Sequence, residues 1–331
     1  MGAEQPDATL LNILLDKLKR VANVNTHQPC SMEEWKSAVK DVNIIAGPKR
    51  VEDIFNKELF DAANELEMIQ TFSIGYDYID IPSCTERGIV VCNVAEIYSE
   101  SVAQHIWALI LDLSKCVSKA DRAMRDGKWL GTEGHVGFQL WGKTLGIVGL
   151  GAIGGRVALK GRLAFGMRVL AYDPHVLPAR AQLYGAELVS LEKLLKRSDV
   201  VVVCVPLTEK TYHMIGEKQL SMMKKSAIIV NISRKSIEDG SLIECLKRGG
   251  IGGAGLDAFD REPLPPDNPF IGMENVVLTP EIASATIEGI GETFESAVSN
   301  VIRYIGGKRP NWMINPEVYD LVKRKGHHDV A

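Results

Sequence analysis

No stretch of the 331 residues approaches the ~18 consecutive apolar residues that a membrane-spanning helix needs. The longest apolar run, Val200–Leu207, is strand-sized and contains Pro206. The first residues lack a basic segment and carry Glu4 and Asp7, and Asn12 interrupts Leu10–Leu15, so no secretory signal is expected. Met1-Gly2 is followed by Pro6 where myristoylation wants Ser or Thr. The six cysteines contain no Cys-x-x-Cys pair, which argues against a zinc site, a redox pair and a disulfide framework. Reduced thiols in a cytoplasmic protein are the expectation. Charge of one sign is also lacking: 38 basic and 42 acidic residues give 38 − 42 = −4, no bulk reason to bind nucleic acid or an anionic membrane. What remains is ordinary globular composition, 46% hydrophobic and 24% charged, in a length that suits about two domains.

Hydrophobic spacing organises the chain. Leu11, Leu14, Leu15 and Leu18 have the spacing of an amphipathic helix. Val21–Val24 reads as a short strand, and Ser31 with Glu34 as a capping box opening the next helix. Strands at 43–46, 67–72 and 88–93 and a helix at about 56–66 continue the alternation. A long helix is expected from Ser99 to a stop at Gly127. The rhythm then restarts, with strands at 143–149, 167–172, 199–204, 226–231, 252–256 and 276–278. Helices fall at 152–165, 190–197, 216–222 and 239–248, and a last one at about 286–305 is placed to return to the first unit. Alternation of this kind implies α/β architecture with parallel sheets. The expected domains are 1–100 plus 283–331, and 101–282.

One motif carries chemistry. Gly149-Leu-Gly151-Ala152-Ile153-Gly154 follows an apolar strand and opens a helix, and Asp173 ends the next strand. In that context the glycine pattern signals a dinucleotide site. Gly149 permits the tight turn, Gly151 lets the pyrophosphate approach the backbone, and Gly154 lets helix and strand pack closely. The helix N-terminus offers unpaired N–H groups to the phosphates. Asp173 would accept from both ribose hydroxyls and repel a 2′-phosphate, which favours NAD over NADP. Val205 and Pro206, just after the strand 199–204, join the cofactor-binding set. A second glycine motif, Gly137-Phe-Gln-Leu-Trp-Gly142-Lys143-Thr144, fits the P-loop pattern but runs into a strand with a bulky interior, so ATP is not expected there.

Across nearly its whole length the chain resembles the D-isomer-specific 2-hydroxyacid dehydrogenases, which include glyoxylate/hydroxypyruvate reductases and phosphoglycerate dehydrogenases. The landmarks are Ser73-Ile-Gly75-Tyr-Asp77, Ser101-Val-Ala-Gln104, the Gly149–Gly154 pattern, Asn231-Ile-Ser-Arg234, Gly255-Leu-Asp257-Ala-Phe-Asp-Arg-Glu262-Pro263 and Thr279-Pro280. The resemblance implies a Rossmann NAD-binding domain inserted in a flavodoxin-like substrate domain, with the reaction in the cleft between them. It implies hydride transfer between nicotinamide and a small 2-oxo or 2-hydroxy acid. Arg234 matches the arginine that binds the substrate carboxylate, and a guanidinium can also polarise the adjacent carbonyl. Asp257 matches the acid that holds the nicotinamide carboxamide, and Glu262 the carboxylate that orients the catalytic histidine. Ser73, Ile74 and Gly75 match the turn whose amides bind the carboxylate. The resemblance also implies a homodimer, through the helix around Val102–Val117.

The sequence departs from the family where proton transfer happens. The family's histidine follows Thr-Pro, and here Glu281 stands in its place. None of the seven histidines (27, 105, 135, 175, 213, 327, 328) fills that position, and His105 and His135 read as packing or surface residues. Reduction of a ketone leaves an alkoxide that needs a proton. An ordinary glutamate, near pKa ~4.3, is ionised at neutral pH. Two carboxylates close together in a partly desolvated site cannot easily both ionise. The Glu262–Glu281 pair is therefore expected to hold one proton and act as the acid. The alternatives are that Glu281 selects an unusual substrate, or that the protein is a degenerate NAD-binding regulator or scaffold. Lys235, where the family often has Gly, is expected to narrow or charge the pocket, and Gln104 replaces a usual acid. Lys49 and Arg50 read as a solvated loop. No metal site is expected.

Overall fold

The computed structural model describes residues 8–27, 29–47, 54–134 and 136–319, and the positions Lys49, Arg50, His135, His327 and His328 lie outside them. The chain divides into two units, one from Met1–Tyr98 with Thr286–Ala331 and the other Ser99–Ala285.

In the first unit, β1 (Ile44–Ala46), β2 (Met68–Gln70) and β3 (Val90–Cys92) form a parallel sheet in the order β1-β2-β3. β2 and β3 are wholly buried because helices cover the sheet. The helix Lys57–Ala62 starts where the Asn56 side chain accepts from the amides of Glu58 and Leu59. The helix Ile81–Arg87, which the sequence pattern does not announce, is capped by Asp80 and stopped by Gly88 in a left-handed conformation. Helices from before and after the second unit meet here: Leu14 and Leu18 of the helix Ala8–Lys19 pack on Val298 and Val301 of the helix Ile287–Ile305. Val21–Val24 forms no strand. The amides of Val21 and Ala22 both close back on the Leu18 carbonyl, so the chain finishes the preceding helix there instead of extending.

The second unit is a seven-stranded sheet, all parallel. Its strands are β4 (Thr144–Val148), β5 (Arg168–Tyr172), β6 (Ala186–Leu188), β7 (Val200–Val203), β8 (Ile228–Asn231), β9 (Gly253–Leu256) and β10 (Val276–Leu278), in the order β10-β9-β8-β7-β4-β5-β6. Val200–Val203 has no exposed surface, as expected of a central strand covered on both faces. The order reverses between β4 and β7, and in open parallel sheets ligands bind beyond the carboxyl ends at such a switch point. β6 and the helix Pro178–Leu183 before it carry too short a pattern to be read in advance.

The expected long helix is two helices, Ser99–Lys115 and Val117–Arg125. Cys116 between them has φ +56, a left-handed conformation that ends the first helix. The Asp112 carboxylate caps the second helix by accepting from the Ser118 amide at 2.7 Å and from its hydroxyl. The first helix buries Val102, Ile106, Trp107, Leu109 and Ile110 within its own unit.

Candidate active site

The carboxyl edge of the second sheet gathers most of the residues singled out by sequence. After β4 comes the glycine turn. Gly149 has φ +95, and a Cβ there would stand 2.5 Å from the Cys204 carbonyl oxygen. A Cβ at Gly154 would collide with the Gly149 carbonyl oxygen, so helix and strand touch through that missing side chain. A Cβ at Gly151 would meet nothing within 4 Å. Two glycines are thus required by packing, and the third faces open space at the start of the helix Ala152–Phe165, which also holds Ile153. That cradle suits a pyrophosphate held by N-terminal amides. Asp173 lies just past β5 and accepts from the Leu150 amide at 2.9 Å through Oδ2 and from the His175 and Val176 amides through Oδ1. It holds the glycine turn in place, and Oδ2, which accepts one amide where Oδ1 accepts two, keeps a lone-pair direction for a ribose hydroxyl. Beneath the turn, burial pushes the Cys204 thiol up to about 12, so it stays a neutral packing group.

After β7, the Val205 amide donates to Ser233 Oγ at 2.8 Å, which ties the Val205–Pro206 segment to the loop after β8. Arg234 stands on that loop, half-buried, with its Nη1 atom buried. After β9, Glu262 Oε1 accepts from the Phe259 amide at 3.0 Å, folding the loop back on itself. After β10 comes the Thr279-Pro280-Glu281 turn. Glu281 is exposed and left-handed at φ +57, a conformation a non-glycine residue adopts only when its surroundings impose it.

Asp257 imposes it. This side chain is 5% exposed, and its Oδ1 accepts from the Thr279 hydroxyl at 2.6 Å and the Ile282 amide at 3.0 Å, while Oδ2 accepts from the Ala283 amide at 3.0 Å. His105 Nε2 lies 3.0 Å from Thr279 Oγ1 and 3.5 Å from Asp257 Oδ1. The Thr279 proton is directed to Asp257, so Nε2 carries the hydrogen and donates. Burial opposes the charge on Asp257, but hydrogen bonds from His105, Thr279 and the two amides outweigh it and hold the carboxyl below its usual range. Oδ1 is occupied by the chain itself, which leaves Oδ2 as the atom able to meet a carboxamide. His105 is no mere packing residue, then. It is a member of this cluster, and no local pattern reveals that, because Thr279 lies 174 positions away.

In the first unit, the segment after β2 is braced internally. Thr71 Oγ1 donates to the Ser73 carbonyl at 2.8 Å and Ser73 Oγ to the Gly75 carbonyl at 2.7 Å. The Ile74 amide donates to the Tyr98 hydroxyl at 2.6 Å. In this conformation that amide is not on offer to a carboxylate. Among the described residues no group of three or more metal-ligating side chains occurs.

The profile of the D-isomer-specific 2-hydroxyacid dehydrogenase NAD-binding domain matches residues 107–283. The chain belongs to this family. The dehydrogenase is 44% identical over 271 residues to a glyoxylate reductase of Korarchaeum cryptofilum, covering 80% of this chain and 81% of that one. It is 39% identical over 292 residues to a glyoxylate reductase of Thermococcus kodakarensis, covering 86% of each. Holo D-mandelate dehydrogenase of Rhodotorula graminis superposes with a TM-score of 0.85 at 28% identity, covering 93% of this chain and 95% of that structure. The dehydrogenase is an NAD-dependent oxidoreductase acting between a 2-oxo acid and a 2-hydroxy acid. The glycine cradle fits the pyrophosphate of that cofactor, and the degenerate-regulator alternative is not favoured.

Proposed function

We propose that this dehydrogenase reduces glyoxylate, or a 2-oxo acid of similar size, and that Glu281 with Glu262 supplies the proton. The observation that carries the reading is the Asp257-fixed turn, whose exposed tip is a carboxyl group. The glyoxylate reductases among its relatives support the choice of substrate.

Gly149–Gly154 and Asp173 would hold the dinucleotide, the acid favouring one with a free 2′-hydroxyl. NADH, when bound, supplies the hydride. Arg234, charged at every working pH, anchors the substrate carboxylate and draws electron density toward the carbonyl oxygen. That oxygen takes a proton from the Glu262–Glu281 pair and becomes the hydroxyl. The pair recovers its proton from solvent through the exposed Glu281. In the first unit, Ser73 and Gly75 are the proposed carboxylate-binding residues, the Ile74 amide being engaged by the Tyr98 hydroxyl.

The test is Glu281→Gln, assayed with NADH and glyoxylate across pH 4.5–8. Turnover falls at least about tenfold while NADH fluorescence titration is unchanged, since one acid group is removed and the cradle is untouched. Unchanged turnover overturns the carboxylate-pair role.

We further propose a homodimer formed through residues 117–141 of the NAD-binding unit. Exposed apolar side chains crowd this stretch: Val117, Met124, Trp129, Leu130, Val136 and Trp141, with Trp129 at 84% exposure. Among the described residues no helix is long and apolar enough to cross a membrane, and all six cysteines are free thiols. A cytoplasmic location accords with the thiols.

A further inference from the structure

Three neighbouring loops leave the carboxyl edge of the sheet after β7, β8 and β9, and one residue touches all of them. His213, at φ +47 in the loop after β7, donates its amide to the Lys235 carbonyl at 2.7 Å. Its imidazole Nε2 lies 3.0 Å from Asp260 Oδ1, in the loop after β9. The first contact continues as a short parallel pairing, with the Ile215 amide on the Ser236 carbonyl and the Glu238 amide on the Ile215 carbonyl, both at 3.0 Å. The second continues into a reciprocal exchange. Asp260 Oδ2 accepts the Asp239 amide and Asp239 Oδ2 accepts the Asp260 amide, each at 3.0 Å. Tyr212 stacks on the imidazole with ring centres 4.1 Å apart, covering one face of it.

The residues on either side of this junction are the ones the reaction uses. Arg234 directly precedes Lys235, and Glu262 lies two positions after Asp260. Lys235 is itself left-handed at φ +52, so the chain adopts an unfavoured conformation on both sides of the 2.7 Å bond. An ionised Asp260 only accepts, so Nε2 carries a hydrogen and the link is donor to carboxylate. The imidazole also faces a cluster of acids. Asp239 feels burial most, then the opposing Asp260 amide, then the electrostatic influence of Asp260, His213 and Glu262 in that order.

We propose that His213 is a positioning residue, a clamp that joins the Arg234 loop to the Glu262 loop and so fixes the separation between carboxylate anchor and acid group. The inference rests on the roles given above to Arg234 and Glu262. It reaches neither the glycine turn nor Asp173, so it separates substrate handling from dinucleotide binding.

The experiment compares His213→Leu, which removes the donor, with His213→Gln, whose amide nitrogen can still reach Asp260. With NADH and glyoxylate, H213L raises KM and lowers kcat, together about tenfold or more in kcat/KM, with NADH affinity within about twofold. H213Q recovers most of the loss. Amide hydrogen exchange on the same variants needs no substrate: in H213L it quickens in residues 232–238 and 258–263 and is unchanged in 149–154. Unchanged exchange in the two loops, or an H213Q as impaired as H213L, overturns the clamp. If H213L fails to fold, Asp260→Asn weakens the same link while keeping the side chain's size, and is read by the same two measurements. Arg234→Lys with unaltered KM discards the anchor role of Arg234 on its own, and hydrogen exchange still decides the clamp.

Discussion

Two buried or half-buried acids in the larger unit respond to pH in opposite senses. Asp257 is held below its usual range by four donors that outweigh burial. Its folded form prefers the charge, so it contributes stability at neutral pH that is lost as pH falls below about 4. Asp239 is pushed up to about 6, chiefly by burial and with the charges of Asp260 and Glu262 adding to it. Its folded form prefers the proton, so the chain loses stability as pH rises from about 4 through 6. Asp257→Asn then lowers the melting temperature at pH 7, and the deficit narrows in acid. Asp239→Asn keeps an oxygen for the Asp260 amide, and raises stability above pH 6 by about 1–2 kcal/mol, the full linkage value being reduced by solvent screening. Thermal unfolding of both variants at pH 4 and pH 7.5 checks the two signs together. At this scale the sequence spoke clearly where a motif is local and was silent where it is not. Gly149, Gly151, Gly154 and Asp173 are read from one strand–turn–helix stretch. The role of His105 depends on a partner that the fold brings from the other end of the unit, and Asp257 reads as a ligand-facing acid until its donors are known.

Among elements, the glycine turn separates packing from binding. Gly154→Ala drives a Cβ into the Gly149 carbonyl, and because the obstacle is backbone no rotamer relieves it. The variant loses about 1–3 kcal/mol of stability and binds NADH poorly. Gly151→Ala meets nothing in the folded chain, so its melting temperature holds while NADH affinity falls, because the new methyl fills the space left for pyrophosphate. Calorimetry paired with NADH titration distinguishes the two substitutions. The central strands were legible because β-branched runs such as Val200–Val203 have few other destinations than a covered sheet. The break at Cys116 was not, since the helix ends at a non-glycine residue in a left-handed conformation rather than at Gly127. Val21–Val24 has the composition of a strand but pairs with none among the described residues, and local closure onto Leu18 prevails.

For the whole molecule, the exposed apolar side chains between residues 117 and 141 are the surface proposed for self-association. Trp129→Asp combined with Val136→Asp replaces two of the most exposed apolar side chains with charges. Sedimentation velocity then shows a monomer where the parent protein sediments as a dimer, with far-ultraviolet circular dichroism unchanged. A parent protein that sediments as a monomer removes the homodimer from the account.

The first unit draws on segments before and after the second, and Leu14 and Leu18 find Val298 and Val301 only after the whole of the second unit has been synthesised. All seven strands of the intervening sheet are synthesised before that partner helix begins. A chain truncated before residue 287 therefore holds every strand of the nucleotide fold while Leu14 and Leu18 lack the helix they pack on, an apolar surface that invites misassembly.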